Sequence, residues 1–435
     1  MSEHPSSITH HPAGKEAFAM KRTHLPRRRK GALALLLALL LLPLPAFAAE
    51  EIAPLLPEEA AIAALSTDVI EAEKTLAASI TPGVDLPVKS AVLMEQGSGA
   101  ILYAENEDLQ LPPASITKIM SLLLVMEAID SGKIALTDQV TCSDVAAGYG
   151  GSQIWLKPGE TMTVDELLKA AAIASANDAT VCLAEYIAGS EEAFVQLMNQ
   201  RAQELGMTGT TFRCAAGLDQ EGHLSTAKDI AIMSRALLEH PLILNYSTVW
   251  MDTLRGGETQ LVNTNRMVRF YQGATGLKTG TTSGAGSCLS ATASRDGLGL
   301  IAVVMGADTS DHRFAAARSL LDWGFANFMQ APLTPPENIL PVPVTGGVGT
   351  QVEVACRPPE GILVEKGKLD SITQDIILPE SIAAPVEEGQ QLGSVAVCVD
   401  GERVAEYPIL AAGAVDRMSF ARALGILGRC LVTMG

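Results

Sequence analysis

Apolar residues change their spacing twice along the chain, and the changes divide it into zones. Strand-like stretches at 88–94 and 99–104 flank Gln96-Gly97-Ser98-Gly99, which predicts a β-hairpin. A helical repeat follows, with Ile116, Ile119, Met120, Leu123, Met126 and Ile129 three or four residues apart. This predicts a buried helix that starts near Pro113 and stops at Ser131-Gly132. Thr163-Val164-Asp165-Glu166 reads as a capping box opening an Ala/Leu-rich helix, which runs into Ser175-Ala176-Asn177-Asp178. A further helix continues to Ile187 and ends near Gly189, and Ser190 caps another over 191–204 that closes at Gly206. The last of the block spans 226–239 and stops at Pro241. The spacing then turns to strand at 276–281, 288–294 and 298–305, with a turn at Arg295-Asp296-Gly297. A closing helix spans roughly 311–328 and includes Trp323 and Phe325. Such an order predicts an α+β body in which helices pack on an antiparallel sheet fed from both ends of the chain.

Both ends differ from this body. Pro-rich 332–341 opens a stretch rich in Val, Ile, Gly and Pro with no helical period, so 332–412 is expected to be a small all-β domain. From Ala414 the helical spacing returns, with Phe420, Leu424, Leu427, Leu431 and Met434 on one side and Arg422 and Arg429 opposite. Residues 413–435 thus suit an amphipathic helix lying on a membrane surface. At the amino end, Arg27-Arg28-Arg29-Lys30 precedes the apolar run Ala32 to Leu42 and the small-x-small pattern Ala46-Phe47-Ala48. That is a secretory signal over 1–48, too short in its apolar part for a span and cut after Ala48, with Met20 as an alternative start. An Ala/Glu-rich spacer over 49–83 follows and ends at Thr81-Pro82-Gly83, leaving 84–331 as the main body.

Charge and cysteine usage remove several function classes. The net charge is −18, and it becomes −23 once the seven bases and two acids of residues 1–48 are set aside. An acidic body is a poor generic binder of nucleic acid. Seven scattered cysteines form no Cys-x-x-Cys, and only His223, His240 and His312 lie beyond the signal. Neither a zinc site nor a disulfide framework is expected, nor any metal or cofactor.

Candidate chemistry starts at Ser115-x-x-Lys118. Three residues apart on a helix, the two side chains meet. The lysine can then take the serine's proton if burial or a neighbouring cation keeps its amine neutral. At the head of the helix the N–H of Ser115 is also outside the helical ladder, free to hold an oxyanion. The pattern alone is weak, since Ser225-x-x-Lys228 repeats it. There Ser225 or Thr226 reads as a helix cap, with Asp229 completing a box. Two later elements single out the first copy: Ser175-x-Asn177 and Lys278-Thr279-Gly280. The latter is no phosphate loop, because Gly273 to Lys278 lacks the required gap. Together the elements supply one reaction. Ser115 attacks a carbonyl with Lys118 as base, and the Ser175 hydroxyl relays a proton to a leaving amine. Asn177 orients Lys118 and a substrate amide. Lys278 supplies the cation that keeps Lys118 neutral and attracts a substrate carboxylate. Gly280 leaves the strand edge uncovered for an extended peptide.

This set resembles the penicillin-recognising serine acyltransferases, and more closely the low-molecular-weight penicillin-binding proteins, the serine-type D-alanyl-D-alanine carboxypeptidases. The resemblance covers nearly everything after the signal. It includes Asp178-Ala179 after the Ser-x-Asn turn, the strand Gly276-Leu277-Lys278-Thr279-Gly280, Val304-Met305-Gly306 and Leu321-Asp322-Trp323-Gly324-Phe325. It also extends to the β domain and the terminal helix.

The resemblance implies a β-lactamase/transpeptidase-like fold and an acyl-enzyme on Ser115, formed at the penultimate D-alanine of a peptidoglycan stem peptide. It implies an oxyanion hole made by the N–H groups of Ser115 and Thr281, substrate contacts along Thr279, Gly280 and Thr281, and a terminal carboxylate held by Arg313. β-Lactams would acylate Ser115 and leave slowly. The enzyme would be exported and held at the outer face of the cytoplasmic membrane. A class A β-lactamase shares the three elements, but residues 332–435 and the lack of a Glu-x-x-x-Asn loop argue against it. A peptidoglycan endopeptidase or a non-catalytic β-lactam sensor stays open at this level.

Overall fold

The computed structural model describes residues 86–433, so the expected signal and spacer lie outside the described residues. The hairpin pairs β1 (Ser90–Glu95) with β2 (Ile101–Glu105). Three long strands, β3 (Ala274–Thr282), β4 (Gly286–Arg295) and β5 (Leu298–Ala307), come from the far end of the body. They join the hairpin in one antiparallel sheet of order β2-β1-β5-β4-β3. Strand β5 is buried along its whole length because helices cover both faces of the sheet. Alternation sorts the side chains. Val92, Met94, Ile301 and Val303 face the helix block, whereas Ala91, Leu93, Leu300 and Ala302 face the closing helix.

Between hairpin and sheet lie α1 (Lys118–Asp130), α2 (Val164–Ile173), α3 (Asn177–Ala188), α4 (Glu191–Glu204) and α5 (Ala227–Leu238). Helix α6 (Ser310–Asn327) closes the body. Helix α1 is buried nearly all round, as a central helix must be. The box at Thr163 forms in both directions, Glu166 N–H to Thr163 Oγ1 at 3.2 Å and Thr163 N–H to Glu166 Oε2 at 2.9 Å. Thr226 caps α5, but the box expected there is half made. The Asp229 carboxylate instead accepts from Gly209 N–H and Thr210 Oγ1, which ties a neighbouring loop to the helix. Two short ribbons, Gln139–Thr141 with Thr161–Thr163 and Met251–Leu254 with Thr259–Val262, have too few residues to show in the apolar spacing.

Strand β6 (Phe328–Pro332) leaves the body and pairs with Gly361–Glu365, so β pairing of the second domain begins before the proline-rich break. The sheets that follow pack around Val395, Val397, Tyr407 and Ile409. The terminal helix α7 runs Phe420–Thr433, starting later than its spacing suggests. Val415 and Arg417 are held extended by bridges to Val386 and Gly347, and a bridged residue cannot also be helical. Phe420 and Leu424 are exposed. No helix among the described residues is long and apolar enough to cross a membrane.

Candidate active site

Ser115 sits on a single 3-10 turn, Ala114–Thr117, that leads into α1, rather than in the α-helix itself. Ala114 takes a left-handed conformation, φ +49°. The turn is pressed between two backbones. On one side lies β3, where a Cβ on Gly280 would fall 2.8 Å from the Pro113 carbonyl oxygen and 3.1 Å from the Ile116 nitrogen. On the other lies the loop after Cys214, where a Cβ on Gly217 would fall 2.0 Å from the Ala114 oxygen. Strand β3 is an edge strand, so its outer edge is open as expected. Gly280 has a further reason to be glycine: its bare α-carbon faces the serine turn, and a side chain would push that turn away.

Lys118 is fully buried, and its amine touches three oxygens: Ser115 Oγ at 3.0 Å, Asn177 Oδ1 at 2.6 Å and Ala216 O at 2.7 Å. The amide oxygen and the carbonyl oxygen can only accept. A neutral amine has two hydrogens, and those two acceptors take both. Its lone pair is then left for the Ser115 hydroxyl. Burial draws the Lys118 pKa down to about 7, against the pull of the nearby Asp178 carboxylate.

Asn177 opens α3 with its N–H on Ser152 O at 2.7 Å and its Nδ2 on Gly150 O at 2.6 Å. The second bond fixes the amide so that Oδ1 faces Lys118. It also occupies one hydrogen that the sequence reading gave to a substrate amide. Asp178 is buried and accepts from the N–H groups of Ile154 and Leu156, which fastens the loop whose Gly150 carbonyl holds Asn177. Ser175, at φ +61°, is buried, and its Oγ has no hydrogen-bond partner. A buried hydroxyl without a protein partner is uncommon.

Lys278 is buried on β3 opposite Ser290, its amine donating to Thr279 O at 3.1 Å. Burial holds its pKa well below the ordinary lysine range, and the charges of Lys118 and Arg313 push the same way. The sequence reading made Lys278 the cation that neutralises Lys118. Burial does that first, and it acts on both amines. Thr279 Oγ1 donates to Thr264 Oγ1 at 2.7 Å and Thr281 Oγ1 to Gly280 O at 2.8 Å. Arg313 is buried too. Its Nη1 donates to Gly280 O and Thr281 Oγ1, both at 2.8 Å, and to Cys288 O at 3.2 Å. Its guanidinium therefore braces β3 at Gly280 and Thr281, the stretch where a terminal carboxylate is expected.

The residues singled out for the site lie on the Ser115 turn, at the first residue of α1, on the approach to α3 and its first residue, on β3, and on α6. Sequence reasoning missed the carbonyls of Gly150 and Ala216 and the bare Gly217. Carbonyl oxygens leave no mark in a sequence; the one available signal was the glycine in Ala215-Ala216-Gly217-Leu218-Asp219.

The chain is similar to known proteins over most of its length. Residues 75–309 match the family model described as D-alanyl-D-alanine carboxypeptidase, and residues 332–417 match the C-terminal domain of penicillin-binding protein 5. The chain is 44% identical to D-alanyl-D-alanine carboxypeptidase DacF of Bacillus subtilis over 337 residues, covering 76% of this chain and 87% of the relative. Penicillin-binding protein 5 of Haemophilus influenzae superposes with a TM-score of 0.69 at 32% identity, over 78% of this chain and all of that one. Penicillin-binding protein D2 of Listeria monocytogenes in its ampicillin-bound form superposes at 0.52 with 33% identity, over 56% of this chain and all of that one. The chain belongs to the D-alanyl-D-alanine carboxypeptidases, a family of serine-type hydrolases.

Proposed function

We propose that Ser115 is the nucleophile that removes the terminal D-alanine from a peptidoglycan stem peptide, with Lys118 as its base. The observation that carries this is the set of three oxygens on the Lys118 amine: Asn177 Oδ1 and Ala216 O can take the two hydrogens of a neutral amine, which turns its lone pair to Ser115 Oγ. The Ser115 proton passes to Lys118 as Oγ bonds to the penultimate carbonyl carbon. The N–H groups of Ser115 and Thr281 receive the oxyanion. As the tetrahedral carbon collapses, its C–N bond breaks, and the proton reaches the leaving D-alanine amine through Ser175, whose unpartnered Oγ supports that role. Water then repeats the attack and frees the shortened peptide. The open edge of β3 pairs with the peptide backbone, and Lys278 with Thr279 and Thr281 receives the terminal carboxylate. A carboxylate arriving beside Lys278 favours its charged form and adds an anionic partner to the Thr279 carbonyl it already holds.

β-Lactams acylate the same oxygen, because their carbonyl and carboxylate imitate the two ends of the dipeptide. The signal at 1–48 sends the chain out of the cytoplasm, and α7 holds it at the membrane surface. Phe420, 85% exposed, and Leu424, 60% exposed, support that docking.

Incubation of the purified protein with a diacetylated Lys-D-Ala-D-Ala tripeptide is expected to release D-alanine. Penicillin should add its mass to the peptide carrying Ser115. Penicillin labelling without D-alanine release would favour a sensor, and cleavage of cross-linked dimers in preference to the tripeptide would favour an endopeptidase. An adduct on Ser175 or Ser225 would overturn the assignment of the nucleophile.

A further inference from the structure

Outside the three sequence elements, one buried titratable side chain reaches the serine turn. His223 is buried, and burial draws its pKa down to about 4. Both ring nitrogens are engaged. The backbone N–H of Arg213 donates to Nδ1 at 2.9 Å. Nδ1 therefore carries no proton, and the hydrogen of the neutral ring sits on Nε2. Nε2 lies 2.7 Å from Thr117 Oγ1 and donates to it. The Thr117 hydroxyl in turn donates to the Ala114 carbonyl oxygen at 2.8 Å. The donors run one way, from Arg213 through His223 and Thr117 to Ala114.

The Ala114 carbonyl and the Ser115 N–H belong to one peptide group. That group is planar and trans, so fixing the oxygen on one side fixes the direction of the N–H on the other. A carbonyl that accepts a hydrogen bond also makes the N–H across the same group a stronger donor. Ala114 needs such support, because its left-handed backbone is unfavourable for any residue with a side chain.

We propose that His223 is a positioning residue for this reaction: through Thr117 and the Ala114 carbonyl it aims the Ser115 N–H at the developing oxyanion. This rests on the reading of Ser115 as nucleophile and oxyanion donor. Its signature follows from where the charge develops. The oxyanion exists only at the transition state, so loss of aim lowers the acylation rate constant and leaves the preceding non-covalent binding alone.

The test measures both constants for penicillin acylation in a short series. His223→Asn keeps an acceptor near Arg213 but offers Thr117 no donor, whereas His223→Gln keeps a donor near Nε2. Thr117→Val keeps the shape of Thr117 and removes its hydroxyl. The Asn and Val variants are expected to acylate about tenfold more slowly, the worth of one net hydrogen bond. Their non-covalent dissociation constants should stay within about twofold of the parent. The Gln variant should recover most of the rate, and His223→Asn combined with Thr117→Val should lose no more than either alone. Folded Asn and Val variants with the parent rate, a loss confined to the dissociation constant, or additive losses would overturn the proposal. Should His223→Asn fail to fold, rescue by Thr117→Ser against Thr117→Val decides the same question. A parent protein that penicillin does not acylate at Ser115 would instead overturn the functional reading, and this inference with it.

Discussion

Lys118→Ala is expected to slow acylation of Ser115 by about 10³-fold, the range of a lost general base. Alanine removes the amine hydrogen-bonded to the Ser115 hydroxyl, and His223 cannot stand in for it, since both its nitrogens are committed elsewhere. Lys118→Arg should be equally slow, which separates base from cation. A guanidinium keeps the charge but does not deprotonate at working pH. Melting curves guard against a trivial cause, because the alanine variant leaves Asn177 Oδ1 and Ala216 O without their donor. Stopped-flow labelling with a fluorescent penicillin measures the rate. A folded variant of either kind that keeps a tenth of the parent rate would sink the assignment of Lys118 as base.

Gly217→Ala is expected to cost about 3 kcal/mol of stability, from overpacking and a left-handed backbone together. The new methyl would lie 2.0 Å from the Ala114 oxygen, 2.6 Å from the Ala114 carbonyl carbon and 2.8 Å from Thr117 Oγ1, at φ +84°. The two closest are backbone atoms of Ala114, so the serine turn itself has to move, and acylation should fall with stability. Gly132→Ala is the control. It has φ +71° with nothing within 4 Å, so it isolates the backbone cost, about 1–2 kcal/mol. Urea melts of the two variants make the comparison. Equal losses would mean that the loop and the turn are not packed as described.

Much of this was legible beforehand, for identifiable reasons. The apolar repeat marked α1, caps and stops such as Thr163-Val164-Asp165-Glu166, Ser190 and Gly206 marked other helices, and strand spacing marked the three sheet strands. Ser115, Lys118, Asn177 and Lys278 were legible because their chemistry is carried by side chains. What was not legible depends on backbone. The 3-10 turn under Ser115 and the carbonyls of Ala216 and Gly150 arise from how segments pack. Arg313 shows the other limit. The resemblance assigned it a carboxylate contact, but only the packing of α6 on β3 reveals that its guanidinium also holds Gly280 O and Thr281 Oγ1. Gly280 was read for the open edge of its strand, and its packing against the serine turn could not be seen without the fold.

The central claim is that Lys118 meets Ser115 as a free amine, and the pH dependence of acylation tests it most directly. The neutral amine is the active form, so the rate follows its deprotonated fraction. With the pKa of Lys118 drawn down to about 7, the rate should rise tenfold per pH unit below about 7 and level off above it. The β-lactam used should carry a carboxylate that stays ionised throughout the range. A rate that keeps climbing toward pH 10, as for an ordinary lysine, or one that shows no rise at all, would contradict the account.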